Sequence, residues 1–431
     1  HILMQTQLAP EFSGTPDGDA AEAILRRCVH CGFCTATCPT YQLLGDELDG
    51  PRGRIYLIKQ VLEGAAPTRK TQQHLDRCLT CRNCETTCPS GVQYGQLIEV
   101  GRRIVDAKVD RPASERRVRW LLREGMTSSA FAPALRLGQA LRPLLPAALK
   151  AKVPEKPAAS QDQVHRWPAR EHPRKVLLLL GCVQPALAPN INSATARVLD
   201  ACGIQTLVAD GAGCCGAVRA HLGDHERARA DMRRNIDAWW PLVEGLGGST
   251  PVEAIVVNAS GCGLMVKEYG HVLADDPDYA DKARRVSEVA KDLSELLPSL
   301  VPALRPKVAS ALQRPQAWKT VGFHPPCTLQ HGQKVRGVVE TALSELGMEL
   351  RMPNRDAHLC CGSAGTYSVL QPELAFQLRD RKLESFSRDG LQVIASANIG
   401  CIQHLQSGSA LPVRHWVEVV DRLLTPESHS I

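Results

Sequence analysis

Two short segments of this sequence each carry four cysteines followed by a proline, a pattern suited to binding iron–sulfur clusters. Each reads C-x2-C-x2-C-x3-C-P, and the second segment lies 50 residues after the first. The cysteines are Cys28, Cys31, Cys34 and Cys38 in the first block, and Cys78, Cys81, Cys84 and Cys88 in the second. Thiolates are the ligands that iron–sulfur clusters prefer, so these blocks predict a redox module.

The spacing also predicts which thiols share a cluster. Three cysteines at i, i+3 and i+6 fold a loop around one cluster, whereas the cysteine before the proline ligates the other one. We therefore expect two [4Fe–4S] clusters, one held by Cys28, Cys31, Cys34 and Cys88, the other by Cys78, Cys81, Cys84 and Cys38. Four thiolates per cluster leave no open iron site, which indicates electron transfer and no catalytic residue. A structural zinc site is the alternative, but a third cysteine three residues after each CxxC pair would be redundant there.

A second, looser repeat occupies residues 176–425. In each copy a strand-like run precedes the first cysteine, a helical stretch leads to Cys-Cys-Gly, and a further cysteine follows a second strand-like run. The copies contain Cys182, Cys214, Cys215 and Cys262, then Cys327, Cys360, Cys361 and Cys401. The cysteine pair begins 32 positions after the first cysteine in one copy and 33 positions after it in the other. Strands alternating with helices predict an α/β unit built twice, with the cysteines of each copy converging at one sheet edge.

This second region resembles the cysteine-rich "CCG" domain family, found in heterodisulfide reductase and in iron–sulfur subunits of several membrane-linked dehydrogenases. The family pattern ends each copy with C-x2-C. Here Met265 and His404 stand where the last cysteine would be.

Four cysteines per copy leave several outcomes open. They could bind a further iron–sulfur centre, or another metal in one copy only. Alternatively, they could be redox-active thiols without a metal, or buried thiols with a structural role. Cys202 fits neither repeat and is interpreted as a core residue. Three histidines flank the cysteines of the second copy: His324, His331 and His358. They could be metal ligands, proton donors to a quinone-like acceptor, or structural residues.

Length and charge set the organisation around these cysteines. The chain has 431 residues and 17 cysteines, and nothing in it directs secretion, so metal binding is favoured over disulfides. Apolar residues at helical spacing predict a helix over 51–62. Between 101 and 175 we count 17 Lys and Arg against 7 Asp and Glu, a balance of +10 in a chain of net charge +6. This basic segment could contact an anionic membrane or form a helical connector, and no recognition motif suggests nucleic acid.

The predicted fold class is mixed α+β and α/β: a mostly helical two-[4Fe–4S] ferredoxin-like module, then a pseudo-twofold pair of α/β CCG domains. The expected limits are 18–110 for the ferredoxin-type domain, 111–175 for the basic connector, 176–300 for the first CCG domain and 318–425 for the second. The most apolar stretch, 176–181, is far shorter than the roughly 20 residues of a membrane span.

As a whole, the architecture resembles the iron–sulfur subunits of bacterial glycolate oxidase, which also carry two ferredoxin blocks before two CCG copies. Gly50-Pro-Arg-Gly-Arg-Ile-Tyr-Leu-Ile58, Asn258-Ala-Ser-Gly-Cys262-Gly and Ser396-Ala-Asn-Ile-Gly-Cys401 contribute to the likeness. It implies a glycolate or D-lactate dehydrogenase complex with two flavin-binding partner subunits and a membrane acceptor such as a quinone. It also implies a peripheral location on the cytoplasmic side of the inner membrane. No flavin site is evident in this sequence, so no flavin is expected on the chain.

Two other interpretations remain at this point. The iron–sulfur subunits of anaerobic glycerol-3-phosphate dehydrogenase and of the lactate-utilisation system share the same layout. An iron–sulfur sensor or scaffold protein without a redox partner is an interpretation of another class.

Overall fold

The computed structural model describes residues 4–146, 153–154, 166–248, 250–387 and 389–425. In these residues a helical N-terminal module precedes two α/β units with the same strand order, which confirms the predicted fold class. Residues 147–152 and 155–165 of the predicted connector lie outside the described residues.

The N-terminal module is built from helices on both sides of each cysteine block. They are α1 (Pro16–Leu25), α2 (Phe33–Ala36), α3 (Pro39–Leu44), α4 (Pro51–Leu62), α5 (Arg69–Asp76), α6 (Asn83–Thr87) and α7 (Tyr94–Lys108). The helix predicted over 51–62 is confirmed as α4. It buries Ile55 and Ile58 and packs against α7, which buries Leu97 and Ile98, so these two helices form the module's core.

Two amphipathic helices follow, α8 (Ala113–Thr127) and α9 (Phe131–Leu141). Neither contains a fully buried residue. Trp120 is 54% exposed and Leu121 is 60% exposed. The helical part of the connector therefore keeps apolar side chains at the surface.

The first α/β unit has a parallel sheet in the order β2-β1-β3-β4. Its strands are β1 (Arg174–Leu179), β2 (Ile204–Leu207), β3 (Ile255–Val257) and β4 (Ala290–Asp292). Its helices are α10 (Gln184–Leu187), α11 (Asn190–Ala201), α12 (Ala217–His221), α13 (His225–Val243), α14 (Ser260–Lys267), α15 (Tyr269–Val272), α16 (Ala280–Val289) and α17 (Leu293–Ala309). The run from Val176 to Leu179 is buried throughout, as expected for a parallel strand covered on both faces.

The second unit repeats this sheet in the order β6-β5-β7-β8. Its strands are β5 (Thr320–Phe323), β6 (Glu349–Arg351), β7 (Val393–Ser396) and β8 (Val413–His415). Its helices are α18 (Val338–Glu345), α19 (Tyr367–Leu370), α20 (Pro372–Glu384), α21 (Ile399–Gln406) and α22 (Trp416–Leu424). A π-helical turn, Thr328–Gly332, follows Cys327.

The last helix of each α/β unit packs against the other unit. Helix α22 of the second unit packs on α11 of the first, and α17 of the first packs on α18 of the second. One hydrophobic cluster runs through both units, from Val176 and Leu178 to Phe323 and Trp416. This reciprocal packing is the arrangement expected of a pseudo-twofold pair.

Candidate functional site: two thiol-lined cavities and two cysteine clusters

Five cysteines line a cavity of ≈ 440 Å³, measured with its open mouth, in the N-terminal module. Cys28, Cys31 and Cys34 come from the first block, and Cys84 and Cys88 come from the second. Cys31 is exposed and Phe33 beside it is 61% exposed, so this cavity reaches the surface. Burial raises the pKa of Cys34 to about 11, which favours its protonated form.

A second cavity, of ≈ 300 Å³, lies beside the first. Its thiols are the complementary set of three from the second block and one from the first: Cys78, Cys81, Cys84 and Cys38. Cys84 and Tyr94 line both cavities, so the two cavities are neighbours.

The same backbone turn shapes the loop of each block. His30 and Gly32 have φ values of 53° and 82°, and Thr80 and Arg82, 50 residues later, have 52° and 58°. Two left-handed residues between three ligands curl the chain into a tight loop, which turns the thiols to one side. Pro39 and Pro89 then begin a helix and a turn, respectively, directly after the fourth cysteine.

A buried arginine lies beside the second cavity. Arg54 of α4 is 1% exposed and lines the cavity wall. Its guanidinium donates to Thr40 Oγ1 at 3.2 Å and faces the Asp49 carboxylate at 3.5 Å. Thr40 Oγ1 lies 3.3 Å from the Sγ of Cys38. The Thr40 hydroxyl group therefore lies between the Arg54 guanidinium and the Cys38 thiol.

The surroundings of Cys78 favour its thiolate form. The Tyr94 hydroxyl donates to Cys78 Sγ at 3.6 Å, and the Thr80 amide donates to the same sulfur at 3.4 Å. Burial raises the pKa of this thiol, but the positive charges of Arg54 and Arg102 outweigh it and lower the pKa below its usual value. Hydrogen bonds to ligand sulfur and nearby positive charge are the protein's means of tuning a cluster.

These observations fit the two predicted clusters. Each cavity is lined by the four thiols predicted for its cluster, with Cys84 shared between the two cavities, and among the described residues none of these thiols belongs to a tight group that could bind a single ion. Four separated thiols around an open volume suit a cube with one iron at each of four corners. A single zinc ion would need them much closer together.

In the first CCG copy the four predicted cysteines come together in a chain of contacting thiols. Cys182 lies next to Cys214, Cys214 next to Cys215, and Cys215 next to Cys262. Cys182 follows β1 and Cys262 lies in the first turn of α14, so the sheet edge brings them together as predicted.

The second copy repeats this chain. Cys327 lies next to Cys360, Cys360 next to Cys361, and Cys361 next to Cys401. All four thiols are buried here, whereas Cys182 and Cys262 of the first copy are partly exposed. Cys202, outside both chains, lies against the shared core, as predicted.

The glycine of each Cys-Cys-Gly motif is required by the backbone. Gly216 and Gly362 both have a φ of 91°. A Cβ at Gly216 would lie 3.0 Å from the carbonyl oxygen of Ala228, and one at Gly362 would clash with that of Ala375. The amides of these glycines donate at 3.4 Å to the Sγ of Cys214 and Cys360. Glycine therefore lets the cysteine pair lie close to the following helix.

The histidines near the second copy differ in their partners. His331 contacts Thr86 Oγ1 at 3.1 Å and the carbonyl oxygen of His358 at 2.8 Å, which suits a structural residue. His324 is fully buried, and neither ring nitrogen has a hydrogen-bond partner among the described residues.

The second cavity adjoins the second CCG copy. Leu79 and Cys81 pack in one cluster with Cys327 and Cys360. The Tyr367 hydroxyl donates to the carbonyl oxygen of Arg77 at 3.0 Å across the same boundary. The ferredoxin-like module thus contacts the second copy through residues next to ligand cysteines.

Arg54 and its partner Asp49 belong to neither cysteine motif, so the motifs alone give no indication of their role. Both are buried, and Asp49 also binds Arg77 at 2.8 Å and His74 at 3.0 Å. The position of Arg54 could have indicated its burial, because Arg54 stands four residues before Ile58 on the apolar face of its helix.

Comparison with known proteins agrees with this geometry. Residues 24–92 match the family described as a 4Fe-4S dicluster domain, and residues 176–267 and 321–406 match the cysteine-rich domain. The chain is 54% identical over 430 residues to the glycolate oxidase iron-sulfur subunit of Escherichia coli (strain K12), covering 98% of this chain and 100% of that protein. The chain belongs to the family of glycolate oxidase iron–sulfur subunits. Its N-terminal module is a dicluster domain for two [4Fe–4S] clusters.

Two further relatives show how similarity falls off within and beyond this family. The probable glycolate oxidase iron-sulfur subunit of Bacillus subtilis (strain 168) is 31% identical over 438 residues, covering 93% of this chain and 92% of that protein. Lactate utilization protein A of the same organism is 26% identical over 254 residues, covering 57% of this chain and 99% of that protein. None of the described helices is long and apolar enough to cross a membrane.

Proposed function

We propose that this chain is the electron-transfer subunit of a multi-subunit glycolate dehydrogenase that also accepts D-lactate. Two flavin-binding partner subunits would oxidise the 2-hydroxy acid, and electrons would leave through this chain to a membrane acceptor such as a quinone. The observation that carries the proposal is the pair of neighbouring cysteine-lined cavities. They occur in a chain that is 54% identical to an iron-sulfur subunit of glycolate oxidase.

We assign the eight N-terminal cysteines as cluster ligands in the crossed arrangement. Cys28, Cys31, Cys34 and Cys88 would bind one cluster, and Cys78, Cys81, Cys84 and Cys38 the other. A bound cluster supplies reversible one-electron chemistry. The polypeptide's part is to fix the thiols around each cavity and to place positive charge beside the second one. The eight CCG cysteines remain predicted ligands of a further centre, and the predicted domain limits are proposed with them.

Exposure suggests a direction through the chain. The first cavity reaches the surface at Cys31 and Phe33, whereas the second faces the second CCG copy through Cys81 and Leu79. We therefore assign the first cavity to exchange with a partner subunit, and the second to passage toward the chain's interior.

We also propose a peripheral location on the cytoplasmic side of the membrane, and the connector supports contact with a membrane surface. Exposed Trp120, Leu121, Leu137 and Leu141 lie on α8 and α9 among basic residues, and apolar side chains with positive charge favour an anionic lipid surface. Replacing both Trp120 and Leu121 by Ser should weaken binding to vesicles that contain anionic lipid. Equal vesicle binding by this variant and the parent chain would contradict a role of the connector in membrane binding.

The proposal is tested by isolating the tagged chain anaerobically from its native membranes and assaying flavin, iron and sulfide. We expect flavin subunits to co-purify with the chain and the complex to reduce a quinone when glycolate is added. The separated, flavin-free chain should not oxidise glycolate. Turnover by that separated chain, or purification without any flavoprotein, would contradict it. The lactate-utilisation and glycerol-3-phosphate alternatives would be favoured if only L-lactate or glycerol 3-phosphate reduced the complex. Clusters whose occupancy follows oxygen, without a flavoprotein, would favour a sensor or scaffold.

A further inference from the structure

His324 is a fully buried histidine with no hydrogen-bond partner on either ring nitrogen among the described residues. It follows β5 directly, and its own backbone amide continues the sheet by donating to Ala395 at 2.8 Å. Most buried polar groups in proteins have a partner, because burying one without a hydrogen bond costs free energy. A bound metal ion would remove this cost by taking the lone pair of a ring nitrogen.

The histidine points at two thiols. One ring nitrogen of His324 and the sulfur atoms of Cys361 and Cys401 all lie within 4.8 Å of one another, and all three residues are buried. Donors on one tetrahedral zinc ion, with bonds of about 2.0–2.3 Å, lie roughly 3.5–3.8 Å apart, so small adjustments would bring these three onto one ion. The Cys360 thiol, which contacts Cys361, is the nearest candidate for a fourth position.

The first copy supplies an internal comparison. Leu179 stands three residues before Cys182, as His324 stands three before Cys327, and it is buried in an apolar cluster. The fold therefore accommodates an apolar residue here, and the second copy has a nitrogen ligand instead.

A second difference between the copies lies on the helix behind the cysteine pair. Lys382 stands seven residues after Ala375, and Asn235 stands seven after Ala228. Ala375 and Ala228 are the two residues whose carbonyls face the glycines of the Cys-Cys-Gly motifs. Lys382 is 2% exposed and donates to the carbonyl oxygens of Asp356 and Ala357. A buried ammonium group beside thiols compensates the negative charge of thiolate ligands.

We propose that His324, Cys361 and Cys401 bind a single thiophilic divalent cation, for which Zn²⁺ fits the donor set, and that the first copy lacks this site. Thiolate and imidazole together are the ligands that Zn²⁺ takes in structural sites. The site is separate from the two N-terminal cavities and does not depend on which substrate the complex oxidises.

The test uses the full chain, purified anaerobically with both N-terminal clusters intact and supplied with Zn²⁺ alone. Metal content and zinc absorption-edge spectroscopy are measured for the parent chain and for His324→Leu, which carries the residue of the first copy. We expect about one zinc per chain with an imidazole nitrogen in its shell, and at least a roughly tenfold weaker affinity in the variant. The iron content should not change. A ninth iron atom that is lost in His324→Leu would support the same site with ferrous iron as its ion.

Two further variants keep the result decisive. Cys202→Ala removes a thiol outside the site and should keep the ion, which excludes adventitious binding to cysteine. Cys401→Ser should reduce the number of sulfur ligands by one, and it serves if His324→Leu does not fold. The proposal fails if the parent chain with intact clusters binds no ion, or if its metal shell contains sulfur only. It also fails if His324→Leu holds zinc as tightly as the parent, or if four additional irons with labile sulfide are present.

Discussion

The N-terminal module and the CCG pair each contain eight predicted metal-binding thiols, but they hold them in opposite ways. In the module the thiols stand apart around cavities of ≈ 440 and ≈ 300 Å³. In the CCG copies they touch one another in chains of four. The difference arises from the backbone, because short loops with two left-handed residues wrap around a volume, whereas strand ends and an adjacent cysteine pair converge on a point. Equal numbers of cysteines therefore do not imply equal cofactors.

The largest expected effect comes from breaking one N-terminal set. Cys34→Ser and Cys84→Ser should each remove one cluster, so that iron falls from about eight to about four atoms per chain. Iron and acid-labile sulfide assays on the full chain measure this, with Cys202→Ser as the matched control that keeps all eight. Near-stoichiometric zinc without a reducible signal would contradict the difference drawn between the two regions.

The corresponding change in the CCG copies should leave that iron in place. Cys215→Ser and Cys361→Ser remove thiols from contacting chains, so the full chain should keep its eight cluster irons. If a redox-active centre lies there, electron flow to the final acceptor stops while the flavins are still reduced, whereas a zinc site alone carries no electrons. Loss of about four irons in either variant would mean that a CCG copy binds a [4Fe–4S] cluster, and it would contradict the difference between the two regions.

A smaller effect should come from a single hydroxyl group beside the second cavity. Tyr94→Phe removes the hydrogen bond to Cys78 Sγ. Because this bond stabilises negative charge on the sulfur, its loss should lower the reduction potential of the second cluster by roughly a few tens of millivolts. Redox titration followed by electron paramagnetic resonance measures the shift. Tyr367→Phe is the matched control, since its hydroxyl bonds the Arg77 carbonyl and no sulfur. Equal potentials in Tyr94→Phe and the parent chain would argue against tuning by this bond.

The sequence was sufficient for features whose signals are local. The C-x2-C-x2-C-x3-C-P blocks predict their loops because three ligands and two left-handed residues lie within seven positions. The α/β duplication could be predicted because each strand is a short apolar run before a cysteine or a turn.

Features that depend on distant contacts could not be predicted in the same way. Whether His324 or His331 has a partner depends on residues far along the chain, such as Thr86 for His331. The burial of Arg54 with Asp49 likewise requires α4, α5 and the loop after α3 to meet. Spacing alone left both histidines as candidates, because it gives the order of side chains and not which of them face one another across the fold.

Crossed ligation between the two blocks is the central claim, and four serine variants in the full chain test it most directly. Cys34→Ser and Cys81→Ser first identify the magnetic resonance signals of the first and second clusters. We predict that Cys38→Ser alters the signal removed by Cys81→Ser, and that Cys88→Ser alters the signal removed by Cys34→Ser, because the cysteine before each proline lines the opposite cavity. If Cys38→Ser instead changes the signal that Cys34→Ser removes, the ligand sets do not cross.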